Sequence, residues 1–212
     1  MLVDPRSALG VSALFLVLRY SPATRKWFPH LICMPDEQTA VLGGGCFWCL
    51  EAVFERVTGV KSVESGYMGG RREHPTYDQV CSGATGHVEV VRVTFDPVLV
   101  TYRDLLDIFF TIHDPTTLNR QGNDAGTQYR SVIFYASDQQ RRDAEQAIAD
   151  LTAARSFASP IVTAVEPAQT FYKAENYHQQ YYAGNSSAPY CQYVIAPKLK
   201  KLEQKFAGKV AT

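Results

Sequence analysis

Thr39-Ala40-Val41-Leu42-Gly43-Gly44-Gly45-Cys46-Phe47-Trp48-Cys49-Leu50 reads as a strand, a glycine turn and the opening of a helix. Thr39 to Leu42 is short and apolar, and three glycines end it. Phe47, Leu50, Val53, Phe54 and Val57 then recur at helical spacing until Gly59, which turns one apolar face inward. Cys46 therefore falls at or near a helix N-terminus. Unpaired backbone N–H groups and the positive end of the helix dipole lower a thiol's pKa there, so a reactive thiolate is expected.

Working outward, Val60 to Tyr67 reads as a second strand, followed by a Gly/Arg/Pro loop through Pro75. His87 to Phe95 is a β-branched strand on which Glu89, Val91, Val93 and Phe95 share a face by the two-residue period. Tyr102 to Ile112 reads as a helix capped by Thr101, with Asp104 in capping-box position. A long polar loop, His113 to Gln128, leads to a strand Arg130 to Tyr135 and a helix capped by Asp138 that runs to about Arg155. A strand Ile161 to Val165, a short helix around Glu175 to Tyr182, Tyr190-Cys191 and a basic amphipathic end complete the chain. Strand, helix, strand, strand, helix, strand is the order of a split βαβ sandwich. The βα-crossovers also allow a doubly wound sheet, and order alone leaves both open.

The 212 residues suit one domain with room for a sizeable core. Lys and Arg total 21 and Asp and Glu total 21, so no net charge draws the chain to nucleic acid or an anionic membrane. Five cysteines, at 33, 46, 49, 81 and 191, are odd in number and too few for a disulfide scaffold, which points to reduced thiols and a cytoplasmic setting. Residues 1–36 read as an N-terminal extension, with Met34 as an alternative start, and 37–212 as a single catalytic domain. The apolar run Ala8 to Leu18 is too short to span a bilayer. It lacks a strong basic start and a small-residue cleavage site, so targeting (and a periplasmic location) is the weaker alternative.

Cys46 is the candidate nucleophile. An isolated cysteine is more often a small buried hydrophobe, but the glycine turn and helix start favour reactivity. Cys49 completes a C-x-x-C, which alone means a dithiol redox pair or half a zinc site. No second C-x-x-C or H-x₃₋₅-H supplies further ligands, so no metal is expected. Glu89, on an apolar strand face, is either a carboxyl with a raised pKa that donates a proton at neutral pH or a strand-end side chain that escapes to solvent. Periodicity does not choose. The loop His113 to Arg130 is long enough to be functional. Tyr77 and Tyr129 are candidate hydrogen-bond donors among twelve tyrosines, most of which must pack. Phe47 and Trp48 read either as core or as the wall of an apolar slot. Cys81 reads as a structural thiol. Cys191, in a Pro/Ser-rich stretch, is a thiol that a mobile segment can carry to another sulfur. A general thiol–disulfide oxidoreductase and a zinc-stabilised binding module are the rival readings.

Together these motifs resemble the peptide methionine sulfoxide reductase A family from about Val41 to about Phe206. Gly44-Gly45-Cys46-Phe47-Trp48, His74-Pro75-Thr76-Tyr77, Cys81-Ser82-Gly83 and Thr85-Gly86-His87-Val88-Glu89 carry the resemblance, followed by the loop to Arg130. The resemblance implies an α+β, ferredoxin-like split βαβ sandwich with additional helices and an irregular C-terminal segment. It implies Cys46 as nucleophile, Glu89 as the acid for the sulfoxide oxygen, Tyr77 and Tyr129 as the hydroxyls on that oxygen, and Asp124 as the organising loop acid. Phe47 and Trp48 become the pocket for the substrate methyl. A sulfenic acid on Cys46 would be resolved by Cys191, which lies where the family's usual resolving cysteine lies, with Cys49 as the alternative or a relay partner, and the disulfide reduced by thioredoxin, with no cofactor and a monomeric enzyme. The chain departs from the commonest family pattern at Cys49, where many members have glycine, and in having one C-terminal cysteine.

Overall fold

The computed structural model describes residues 37–210; the expectations for residues 1–36 lie outside them. In chain order the strands are β1 (Gln38–Gly43), β2 (Val60–Met68), β3 (Val88–Phe95), β4 (Arg120–Gln121), β5 (Asp124–Ala125), β6 (Val132–Tyr135), β7 (Ala164–Pro167) and β8 (Tyr172–Lys173). The α-helices are α1 (Phe47–Phe54), α2 (Tyr77–Cys81), α3 (Tyr102–Ile112), α4 (Asp138–Ala153), α5 (Tyr181–Asn185) and α6 (Ala196–Lys205).

Six strands form one sheet in the order β7-β6-β1-β3-β2-β8. β3 lies between β1 and β2, antiparallel to both, and β1 lies between β3 and β6. Each βα unit is thus split by a strand from the other, the arrangement of the ferredoxin-like sandwich and not of a doubly wound sheet. β7 extends one edge in parallel with β6, and β8 extends the other.

The period-two reading of β3 holds. Val91, Val93 and Phe95 join Leu42, Tyr67 and Ile133 in the main core with Phe47, Leu50 and Phe54 of α1 and Leu105, Leu106 and Phe109 of α3. Val88 and Val90 point the other way, into a smaller cluster with Val41, Met68, Val132 and Phe134. The second face is buried only toward the start of β3, where Val88 and Val90 lie, and is partly exposed at Arg92 and Thr94.

Local chemistry sets the helix ends. Thr101 Oγ1 accepts the Asp104 N–H and Asp104 accepts the Thr101 N–H, each at 3.1 Å, a reciprocal cap worth about 1 kcal/mol. α4 is capped one residue earlier than expected, by Ser137, whose hydroxyl accepts the Gln140 N–H at 3.2 Å; Asp138 is the first helical residue. α1 ends at Phe54, and Val57 instead bridges to Val210. The expected strand at Ile161 to Val165 lies further on, because β7 pairs in register with β6 from Ala164.

The segment expected as one helix over Glu175 to Tyr182 breaks in two, a 3-10 turn at Asn176–His178 and then α5, with Gln180 left-handed at φ 51° between them. The long polar loop holds the β4–β5 ribbon and a 3-10 turn at Thr127–Tyr129. Beyond it, Cys191–Ile195 form a π-helical turn continuous with α6. None of the described helices is long and apolar enough to cross a membrane.

Candidate active site

The glycine turn brings β1 into α1 at close quarters. A Cβ on Gly44 would stand 2.7 Å from the Phe109 ring, and one on Gly45, at φ +93°, would meet Gln121 at 2.6 Å. Both positions exclude a side chain, the second also by backbone conformation. The turn thus lies pinned between α3 and the β4–β5 ribbon, and Cys46 occupies the N-cap position of α1.

Glu89 completes the turn from below. Leu42 pairs with Val91, so the next same-face position of β3, Glu89, lies level with Gly44, where β1 has already left the sheet. Its carboxyl fills that gap and accepts the Phe47 N–H at 3.1 Å. Of the two readings open from periodicity, the inward one is correct: Glu89 is 1 % exposed. Burial drives its pKa up to about 8, against the pull of the Phe47 N–H, with the charges of Asp124 and Cys49 adding to the rise. The carboxyl therefore keeps its proton at neutral pH.

The expected low pKa of Cys46 is corrected. Its thiol is held well above the usual value by burial, by the Cys49 thiol beside it and by the nearby Glu89. The N–H group expected to favour a thiolate is already bound to the Glu89 carboxyl, and the Cys49 N–H is bound to the Cys46 carbonyl at 3.1 Å. Cys49 moves down to about 7, because the Cys46 thiol beside it favours its thiolate and Lys198 and Tyr190 help, in opposition to its burial.

Aromatic residues surround the turn on one side. Phe47 is buried against Tyr67 and His178, with ring centroids 5.9 and 5.0 Å away. Trp48 stays half-buried, stacked on Tyr181 at 3.7 Å and 7°, and its indole N–H donates to His178 Nδ1 at 3.2 Å. Of the adjacent pair, Phe47 thus points into the core and Trp48 forms an edge. Tyr77 opens α2; its N–H and the Tyr67 hydroxyl both donate to the Glu175 carboxylate at 2.9 Å. The hydroxyls of Tyr77 and Tyr129 are kept protonated chiefly by burial, and the nearby Glu89 reinforces this for both. Cys81 is half-buried beside Tyr77, its thiol pushed up chiefly by burial.

A cavity of about 370 Å³ opens on the other side of Cys46, lined by Cys49, Asp124, Tyr190, Tyr193 and Lys198 among others. Asp124, on the ribbon, accepts the Tyr190 hydroxyl at 2.8 Å, and that hydroxyl lies 3.8 Å from Cys49 Sγ. The structure therefore brings Cys46, Phe47, Cys49, Glu89 and Asp124 together at one helix start, with Trp48, Tyr77 and Tyr129 on its aromatic flank. Cys191 stands apart from the cavity. It lies fully buried in the main core, its thiol pushed up by burial, in a helical turn and not in the mobile stretch expected for it.

Sequence reasoning missed Glu175, His178, Tyr181 and Tyr190. For His178 and Tyr181 a signal was present: the run Tyr177-His178-Gln179-Gln180-Tyr181-Tyr182 is aromatic and polar without a helical stripe. Such a run needs packing partners that no amphipathic helix would supply. Among the described residues no cluster of three or more His, Cys, Asp or Glu side chains is placed to hold a metal ion.

The family model of peptide methionine sulfoxide reductase matches residues 38–210. The chain belongs to that family. It is 54% identical over 178 residues to the peptide methionine sulfoxide reductase MsrA of Polynucleobacter asymbioticus, covering 84% of this chain and 94% of the relative. The MsrA of Chromobacterium violaceum is 56% identical over 170 residues, 80% and 97% of the respective chains. Among solved structures, reduced Mxr1 from Saccharomyces cerevisiae superposes with a TM-score of 0.67 at 35% identity, covering 74% of this chain and 90% of that one. The family membership and the ferredoxin-like sheet agree with what the motifs from Gly44 to Arg130 imply.

Proposed function

We propose that the protein reduces the S epimer of methionine sulfoxide to methionine, in polypeptides and as the free amino acid. The observation that carries the mechanism is the protonated Glu89 carboxyl at the start of the helix that Cys46 caps. Cys46 sulfur attacks the sulfoxide sulfur while Glu89 protonates the sulfoxide oxygen, with the hydroxyls of Tyr77 and Tyr129 on that oxygen. The Cys46 proton replaces the one that Glu89 gives up, the S–O bond transfers to Cys46, and methionine leaves a sulfenic acid behind. Phe47 and Trp48 hold the substrate methyl, and Asp124 orders the ribbon side of the site.

A second thiol then displaces the sulfenic oxygen as water. Cys49 is the better placed: it lines the same cavity as Cys46, three residues on in the first turn of α1, whereas Cys191 must first leave the core. Thioredoxin or a small dithiol returns the disulfide to thiols by exchange. The chemistry draws on no metal or organic cofactor. Four free described cysteines fit a reducing, cytoplasmic compartment and a monomer without intermolecular bridges.

A single turnover tests this reading. Reduced protein mixed with racemic methionine sulfoxide, without reductant, should yield one methionine per chain, consume only the S epimer and lose two thiols. Cys46→Ser should form no methionine. Methionine formation by that variant at the wild-type rate would overturn the assignment.

A further inference from the structure

We propose that Lys198 is a positioning residue for the second chemical step, its ammonium holding Cys49 as the thiolate that attacks the Cys46 sulfenic acid. The inference rests on the reading of Cys49 as the resolving thiol. A buried thiolate needs a compensating charge or donors, and two of the first N–H groups of α1 are already engaged here. The Phe47 N–H is bound to Glu89 and the Cys49 N–H to the Cys46 carbonyl.

The groups acting on Cys49 can be named element by element. They are Cys46 on the same helix turn, the Tyr190 hydroxyl and Cys191 from the π-helical turn, Glu89 from β3, Asp124 from the ribbon and Lys198 from α6. Three of these oppose a thiolate on Cys49 or leave it unhelped: Glu89 and Asp124 are acids, and Cys191 is a neutral buried thiol. Tyr190 is shared with Asp124. Lys198 is the basic side chain lining the cavity. Among the described residues no carboxylate lies within ion-pair distance of it, while Lys173 and Lys209 are each paired. Its charge is therefore available to the cavity, where it favours a Cys49 thiolate.

The step balances. Cys49 sulfur forms a bond to Cys46 sulfur, the Cys46 S–O bond breaks, and the oxygen leaves as hydroxide. The proton that Cys49 released converts it to water. Nothing is oxidised or reduced beyond the two sulfurs, which become the disulfide. In the first step Cys46 and Glu89 act on substrate, and Lys198 has no part in it.

The test separates the two steps in a single turnover of the full-length reduced protein. Methionine formation is followed by quench, the sulfenic acid by trapping with a 1,3-dione, and the disulfide by thiol count. Lys198→Met should leave the methionine burst rate intact, slow disulfide formation about tenfold at pH 7, and shift the pH profile of that step up by about one unit, which is the same factor. Lys198→Arg should restore most of the rate. Disulfide formation by Lys198→Met at the wild-type rate from pH 6 to 9 would overturn the proposal. So would an equal loss in Lys198→Met and Lys198→Arg, or an equal fall in both steps. Peptide mapping of the wild-type product tests the underlying reading separately: a first disulfide between Cys46 and Cys191 would remove Cys49 from the step whatever Lys198 does.

Discussion

The two sides of Cys46 differ in kind. Toward β3 and α2 the sulfur meets a protonated acid and a wall of aromatic rings, with Glu89 fully buried and Phe47 and Trp48 locked by Tyr67, His178 and Tyr181. Toward the ribbon and α6 it meets a second thiol, a carboxylate already bonded to a tyrosine, and a lysine, around an open cavity. The first side suits a neutral, polarised substrate that needs a proton on its oxygen. The second suits anionic sulfur. One atom thus faces two steps with opposite charge demands.

Removing the acid should give the largest effect after loss of Cys46 itself. Glu89→Gln keeps the shape and an acceptor for the Phe47 N–H but cannot deliver the proton. General acids contribute roughly 10²–10⁴-fold, so methionine formation should fall by about 100-fold or more, while a sulfenic acid, once formed, resolves normally. The pH dependence has a definite sign. A carboxyl whose pKa is raised to about 8 is the active, protonated acid below that pH, and the wild-type methionine burst should decline above it. Glu89→Gln should lose that decline. A burst in the variant that keeps the same alkaline limb would assign the limb to another group and weaken the contrast between the two sides.

The thiol side is probed by its two sulfurs. Cys49→Ser should leave the burst rate near wild type and slow disulfide formation at least tenfold, with sulfenic acid accumulating. Cys191→Ser should have a smaller effect on the first disulfide, since a thiol buried in the core reaches Cys46 only after the π-helical turn opens. The reverse ranking, measured by the same thiol counts, would place resolution on the C-terminal cysteine.

What was legible in the sequence follows from range. β3's alternation and α1's apolar stripe are local patterns, and they placed Glu89 and Cys46 on facing elements of the correct sandwich. Whether Glu89 pointed inward was not local. It was decided by β1 leaving the sheet at Gly44, two residues beyond Leu42, and by an N–H on another element. The Cys46 pKa failed for the same reason: helix-start reasoning counts free donors, and a residue 42 positions away had already taken one. Tyr190, His178 and Lys198 lie 132 to 152 positions from Cys46; the 3-10 turn of His178 and the π-helical turn after Tyr190 have no periodic signature, and the apolar stripe of α6 does not say what Lys198 faces. Their roles exist only through contacts.

The smallest of the expected effects isolates the aromatic side. Trp48→Phe preserves a ring over Tyr181 but deletes the N–H donated to His178 Nδ1. His178 is buried and its Nε2 has no hydrogen-bond partner, so the variant leaves the imidazole without any side-chain bond from α1. A neutral hydrogen bond of this type contributes about 1 kcal/mol, which is roughly fivefold in an equilibrium. That amount should appear as a rise in KM for a blocked methionine sulfoxide peptide, because the pocket wall loosens while the acid and the nucleophile stay in place. The disulfide step should not change, since Trp48 does not line the thiol cavity. If Trp48→Phe slowed disulfide formation as much as it raised KM, the edge contact of Trp48 with Tyr190, at 5.9 Å, would be coupling the two sides, and the separation argued from their chemistry would have to be given up.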